Sequence, residues 1–158
     1  MNWSTDFQPL LLVIIAAGVG GIVGLEREIQ RKPAGLRTHI FVSAGAALLM
    51  VSGHAVIASY EQQGTEIVRS DPLRMMQAII VGISFLGAGT IIHDGGKDIE
   101  GLTTAASIFL TAGIGMAIAV EEYVLAIGTA LFTVLTLAII GRIEKYLPNH
   151  ETDERNSP

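Results

Sequence analysis

Apolar positions along this chain gather into five long runs instead of alternating with polar ones, and polar positions collect in the short stretches between the runs. The runs are Phe7 to Leu25, Ile40 to Ser59, Leu73 to Ile92, Leu102 to Val120 and Tyr123 to Gly141. A helix rises about 1.5 Å per residue, so some 20 residues cross a hydrocarbon layer of roughly 30 Å, and each run is about that long. Lipid offers no water to backbone N–H and C=O groups, and the runs lack the alternation of barrel strands, so each is predicted to be a helix. The pattern predicts an all-α fold: a polytopic membrane protein whose residues 1–141 form one bundle of five transmembrane helices. The last helix is expected to extend through Arg142 to Leu147 and stop at Pro148, within a polar tail over 142–158.

Composition agrees with a membrane chain. Half of the 158 residues are hydrophobic, only 16% are charged, and the mean hydropathy is +0.52. No basic residue precedes the first run and no small-residue cleavage site stands clear of later charge, so that run reads as a retained span and not as a signal peptide. The absence of cysteine excludes disulfides and thiolate metal sites. No basic patch with interleaved aromatics points to nucleic acid, and the lipid bilayer is the first partner. Eight of the ten Lys and Arg residues fall on one set of alternate connections and two on the other. The positive-inside rule then predicts an external N-terminus and a cytoplasmic C-terminus.

The densest charge lies in Gly24 to His39, GLEREIQRKPAGLRTH, where Glu26, Arg27, Glu28, Arg31, Lys32 and Arg37 fall within twelve positions. This stretch reads as a cytoplasmic hinge between the first two spans. Glu28 and Lys32 have the i,i+4 spacing of a helical ion pair, which predicts that the first helix runs a turn or two beyond the bilayer. Pro33-Ala34-Gly35 turns the chain, and Arg37, Thr38 and His39 lead into the second span, with Arg37 snorkelling to phosphate level. Glycine and alanine within the spans predict close helix packing. Gly20-xxx-Gly24 fits packing inside one protomer or, alternatively, association into a homo-oligomer. Gly35-Leu36-Arg37-Thr38 and Gly101-Leu102-Thr103-Thr104 open the second and fourth spans alike, which suggests two parallel hairpin repeats with a fifth helix added.

Several polar residues have two readings. Thr104, Ser107 and Thr111 share a helical face, either back-bonded to carbonyls one turn earlier or lining a route for an ion or water. His54, inside the second span, is a neutral hydrogen-bonding residue or a proton sensor. Asp71 caps the third helix ahead of Pro72 and stands three residues from Arg74; the two form a cap and an interface anchor, or mark the outer mouth of a pathway. The connection His93 to Glu100 carries an imidazole and three carboxylates, oxygen ligands suited to magnesium, but its spacing matches no calcium loop and Asp94-Gly95-Gly96 is a turn signal. It is read as a solvated turn, with no metal site and no cofactor. No nucleophile constellation, acid–base pair or phosphate-cradling loop suggests an enzyme.

Taken in order, GLEREIQRKPAGLRTH, DPLRMMQAIIVGISFLGAGTII and GLTTAASIFLTAGIGMAIA resemble the successive signatures of the MgtC/SapB family of bacterial inner-membrane proteins, over roughly Gly18 to Gly141. The resemblance implies a five-helix bundle in the inner membrane. It implies a role in adaptation to low magnesium or acid stress, or in virulence, through restraint of a membrane complex such as the proton-driven ATP synthase. The family's best-known members are not generally regarded as magnesium transporters, and transport of magnesium or protons stands as the alternative. Thr103 matches a motif position where the family carries a polar residue linked to function. The virulence members carry a soluble C-terminal domain, whereas seventeen residues follow Gly141 here, so the chain looks like the shorter SapB-like branch.

Overall fold

In the computed structural model, which describes residues 3–62, 72–91 and 101–146, the chain is all-α and built from five helices. They are α1 (Trp3–Ile29), α2 (Leu36–Gln62), α3 (Pro72–Ile91), α4 (Leu102–Ala119) and α5 (Tyr123–Tyr146). All five are long and apolar enough to cross a membrane, and their outward faces carry large apolar side chains such as Phe41, Phe85, Val124 and Phe132. In water that surface would drive aggregation; in lipid it is the solvated face.

The helix in the middle is α4, which packs against each of the other four. Ten of its eighteen residues are buried, among them Ile108, Ile114 and Ile118 with the hydroxyl residues Thr104, Ser107 and Thr111. Around it, α1 pairs most extensively with α2, α3 flanks α2, and α5 flanks α1. Helix α3 is the least covered element, with only Ile79 and Gly87 buried.

Small residues set the closeness of this packing. Gly20 and Gly24 of α1 face α2: a Cβ at Gly24 would lie 2.8 Å from the His39 Cβ and 2.9 Å from the Leu36 Cα, and one at Gly20 would overlap Ser43. The Gly20-xxx-Gly24 face is therefore filled by α2 of the same chain. Gly115 of α4 meets the backbone of Ser43 of α2 so closely that a Cβ there would overlap the Ser43 carbonyl. Where lipid removes the hydrophobic drive between helices, such close approach gains the dispersion contacts that hold them.

Helix α1 continues past the apolar run to Ile29, about one turn beyond Leu25 as the hinge predicted, and α2 starts at Leu36, one turn ahead of Ile40. One expectation about the hinge changes. Lys32 then lies past the end of α1, so the predicted Glu28–Lys32 helical pair does not form. The Glu28 carboxylate instead accepts the Leu36 backbone N–H at 3.0 Å and caps α2. Helix α1 ends with Lys32 N–H donating to the Arg27 carbonyl and Arg31 N–H to that of Glu28, with Arg31 at φ 54°. These are the paired bonds that close a helix through a left-handed residue, a place usually taken by glycine.

Candidate functional site at the hinge end of the bundle

The hinge, the start of α2, the start of α4 and the last turns of α5 meet at one end of the bundle and enclose a buried polar cluster. Arg27 and Glu26 form an ion pair, Nε to Oε2 at 2.6 Å, with side chains only 4% and 10% exposed. The second Glu26 oxygen, Oε1, is buried and bonds no described residue. A pair removed from water in this way is held by mutual attraction against a large desolvation cost, so each partner depends on the other.

His39, fully buried, links α2 to α4. Its Nδ1 lies 2.9 Å from the Gly35 carbonyl, which only accepts, so Nδ1 carries a proton. Its Nε2 lies 3.1 Å from the Ser107 hydroxyl, whose oxygen is also 2.8 Å from the Thr104 carbonyl. A neutral ring and the Thr104 carbonyl therefore compete for the one Ser107 proton. One turn on, the Thr111 hydroxyl donates to the Ser107 carbonyl at 2.8 Å. Ser107 and Thr111 are thus back-bonded to α4 itself, and Ser107 is also latched to α2. Ser43 of α2 adds a further buried hydroxyl facing α4, with no described partner.

Beside this cluster opens a cleft of about 960 Å³ between the hinge, α4 and α5. Arg27, Arg31 and Lys32 line one side, Gly101 to Thr104 the floor, and Leu110, Phe132, Leu137 and Ile140 the far wall. Gly101 sits at φ 95°, and a Cβ there would overlap the Thr90 carbonyl, so only glycine lets α4 start so close to the end of α3.

Of the residues singled out in the sequence, Glu26, Arg27, His39, Thr104, Ser107 and Thr111 are brought together here, all buried. Glu28 is exposed but caps α2, Thr103 is exposed on the cleft floor, Thr38 is half-buried and Arg37 is exposed. Arg74 is exposed on α3 and does not join the cluster. His54 is half-buried on α2, fifteen residues beyond His39 and so about 22 Å along the helix. Asp71 and the connection His93 to Glu100 lie outside the described residues. Sequence reasoning missed Ser43 and Thr133 as buried polar residues, and Arg31 and Lys32 as cleft residues. Among the described residues, no group of three or more His, Cys, Asp or Glu is placed to hold a metal ion.

A family model described as the MgtC family matches residues 13–146. The chain is 37% identical over 143 residues to the putative magnesium transporter YhiD of Escherichia coli K12, covering 89% of this chain and 64% of YhiD. It is 34% identical over 156 residues to the protein SapB of Bacillus subtilis, covering 99% and 66%. It is 36% identical over 110 residues to the protein MgtC of Salmonella typhimurium, covering 70% and 42%. The chain thus spans under two thirds of YhiD and MgtC and about two thirds of SapB. No solved structure matches it. The chain belongs to the MgtC family, MgtC/SapB, and is a multi-pass protein of the bacterial inner membrane.

Proposed function

We propose that this MgtC/SapB protein is a non-enzymatic regulator that acts by helix contacts with a second membrane complex, in adaptation to low magnesium or acid stress or in virulence. The observation that carries this reading is the state of the α4 hydroxyl face. Ser107 and Thr111 bond to carbonyls of their own helix, and Ser107 also meets His39, so these two hydroxyls serve helix packing and are not free to solvate a passing ion. The name of the Escherichia coli relative carries the alternative, a magnesium conduit. Against it, the cleft that would serve as a mouth is lined by Arg27, Arg31 and Lys32, whose potential repels a divalent cation.

The surface offered to a partner is that of α3, the helix least covered by the rest of the bundle, on which Phe85 faces outward. The ATP synthase, brought in by family resemblance, is the first partner to try. A photo-crosslinking residue at Phe85 should give one discrete protein adduct in native membranes, and the same residue at Val124 on α5 should give lipid adducts. In parallel, proteoliposomes of the purified chain should pass magnesium and protons no faster than empty liposomes. Saturable flux that falls in the Thr104→Val/Ser107→Val variant would replace the regulator with a transporter.

A further inference from the structure

The cleft at the hinge has a chemistry that contact with a partner helix does not require. We propose that it binds the phosphate of an anionic phospholipid, seated between Arg27, Arg31, Lys32 and the first turn of α4, with an acyl chain lying along the wall of Phe132 and Ile140. Lipid occupancy does not depend on the partner contact proposed above.

The charge is arranged for an anion. Arg27 is nearly fully buried yet lines the cleft, and its only bond to a described residue is made by Nε to Glu26. Its two terminal nitrogens thus keep four N–H donors in a planar fork without a described partner, the geometry that suits phosphate oxygens, on a residue that lines the cavity. Arg31 and Lys32 add two exposed cations on the same wall. Glu28, the acidic residue next in line, is turned away to cap α2.

The cleft floor adds donors that the helix does not use. Helix α4 starts at Gly101 with no side-chain cap, so N–H groups of its first turn lack helical acceptors. Gly101, Leu102, Thr103 and Thr104 all line the cavity, where the positive end of the helix dipole favours an anion.

The far wall separates a lipid from a soluble phosphate. Leu110, Phe132 and Ile140 line the cleft while remaining 36%, 64% and 49% exposed on the outer surface of the bundle, so the cavity opens sideways onto an apolar face. A free phosphate ion gains nothing from such a wall, whereas a phospholipid needs both halves. The basic end of the cleft lies at the end of the spans, where basic residues attract anionic lipid, and its apolar wall continues toward mid-span.

Native mass spectrometry of the full chain, released from mild detergent after incubation with phosphatidylglycerol or phosphatidylcholine, reads the bound lipid directly. The chain should retain phosphatidylglycerol in preference to phosphatidylcholine. Arg31→Gly/Lys32→Gln should lower phosphatidylglycerol retention roughly thirtyfold, as expected for two lost surface cations. Arg74→Gln, on α3 and away from the cleft, should leave it unchanged. Glycine suits the left-handed backbone at position 31, so the thermal midpoint of that variant in detergent should not fall through strain there, and lost lipid then reports lost charge. Equal retention of the two lipids, or unchanged retention in the double variant, would overturn the site. Inorganic phosphate that displaces phosphatidylglycerol completely, and protects the lipid-free chain against heat equally well, would overturn the lipid in favour of a soluble phosphate ligand.

Discussion

Glu26 and Arg27 are neighbours on a helix, about 100° apart around its axis, yet both are buried. In the sequence they look like the start of a solvated charge run. The contrary signal was present: Leu12, Ala16, Gly20, Val23 and Arg27 follow one another at spacings of four, four, three and four, and all are buried, so Arg27 ends the packed stripe of α1. Local charge density masked that period. Because Glu26 has an oxygen that already lacks a described partner, Arg27→Met should leave a buried carboxylate uncompensated and destabilise the folded chain by about 3 kcal/mol or more. Glu26→Gln/Arg27→Met should recover much of that loss. Chemical unfolding of the purified variants in detergent measures both; a double variant no more stable than Arg27→Met would show that the pair is held by packing and not by charge.

At the scale of the helix, length and apolarity made all five elements legible, together with the extension of α1 past Leu25 and of α5 past Gly141. The expectation for the hinge used the Glu28–Lys32 spacing, but Glu28 finds a backbone N–H of the next helix instead, a partner that spacing within one helix cannot reveal. The Gly-Leu pairs do mark helix starts, since α2 and α4 begin at Leu36 and Leu102, each directly after its glycine. Glycine also marks where helices meet. Gly115→Ala should push α4 off the Ser43 backbone and cost about 1–3 kcal/mol, the usual range for overpacking a filled core. Gly113→Ala, two residues away with nothing within 4 Å of the place its Cβ would take, should be neutral or slightly stabilising because alanine is the better helix former. Equal losses in the two variants would mean that α4 and α2 are not packed at Ser43.

Which helix lies at the centre was not legible, because runs that are apolar all round carry almost no directional pattern and lipid-facing and core-facing residues look alike. The readable asymmetry was in the hydroxyls of α4 and the charges of the hinge, and these converge at the end of the bundle that carries Arg27, Arg31 and Lys32. The charge count predicts a cytoplasmic location for that end, in which case an anionic headgroup in the cleft comes from the inner leaflet. A chain with no cysteine allows a clean test, since one introduced thiol labels without background. Glu122→Cys, in the turn between α4 and α5 at the opposite end, should react with a membrane-impermeant maleimide in intact cells. Lys32→Cys should react only after permeabilisation. Labelling of Lys32→Cys in intact cells together with protection of Glu122→Cys would invert the topology and move the proposed headgroup site to the outer leaflet. Labelling of neither would mean that both turns are covered by a partner, and the same pair repeated on the purified chain would then uncover them.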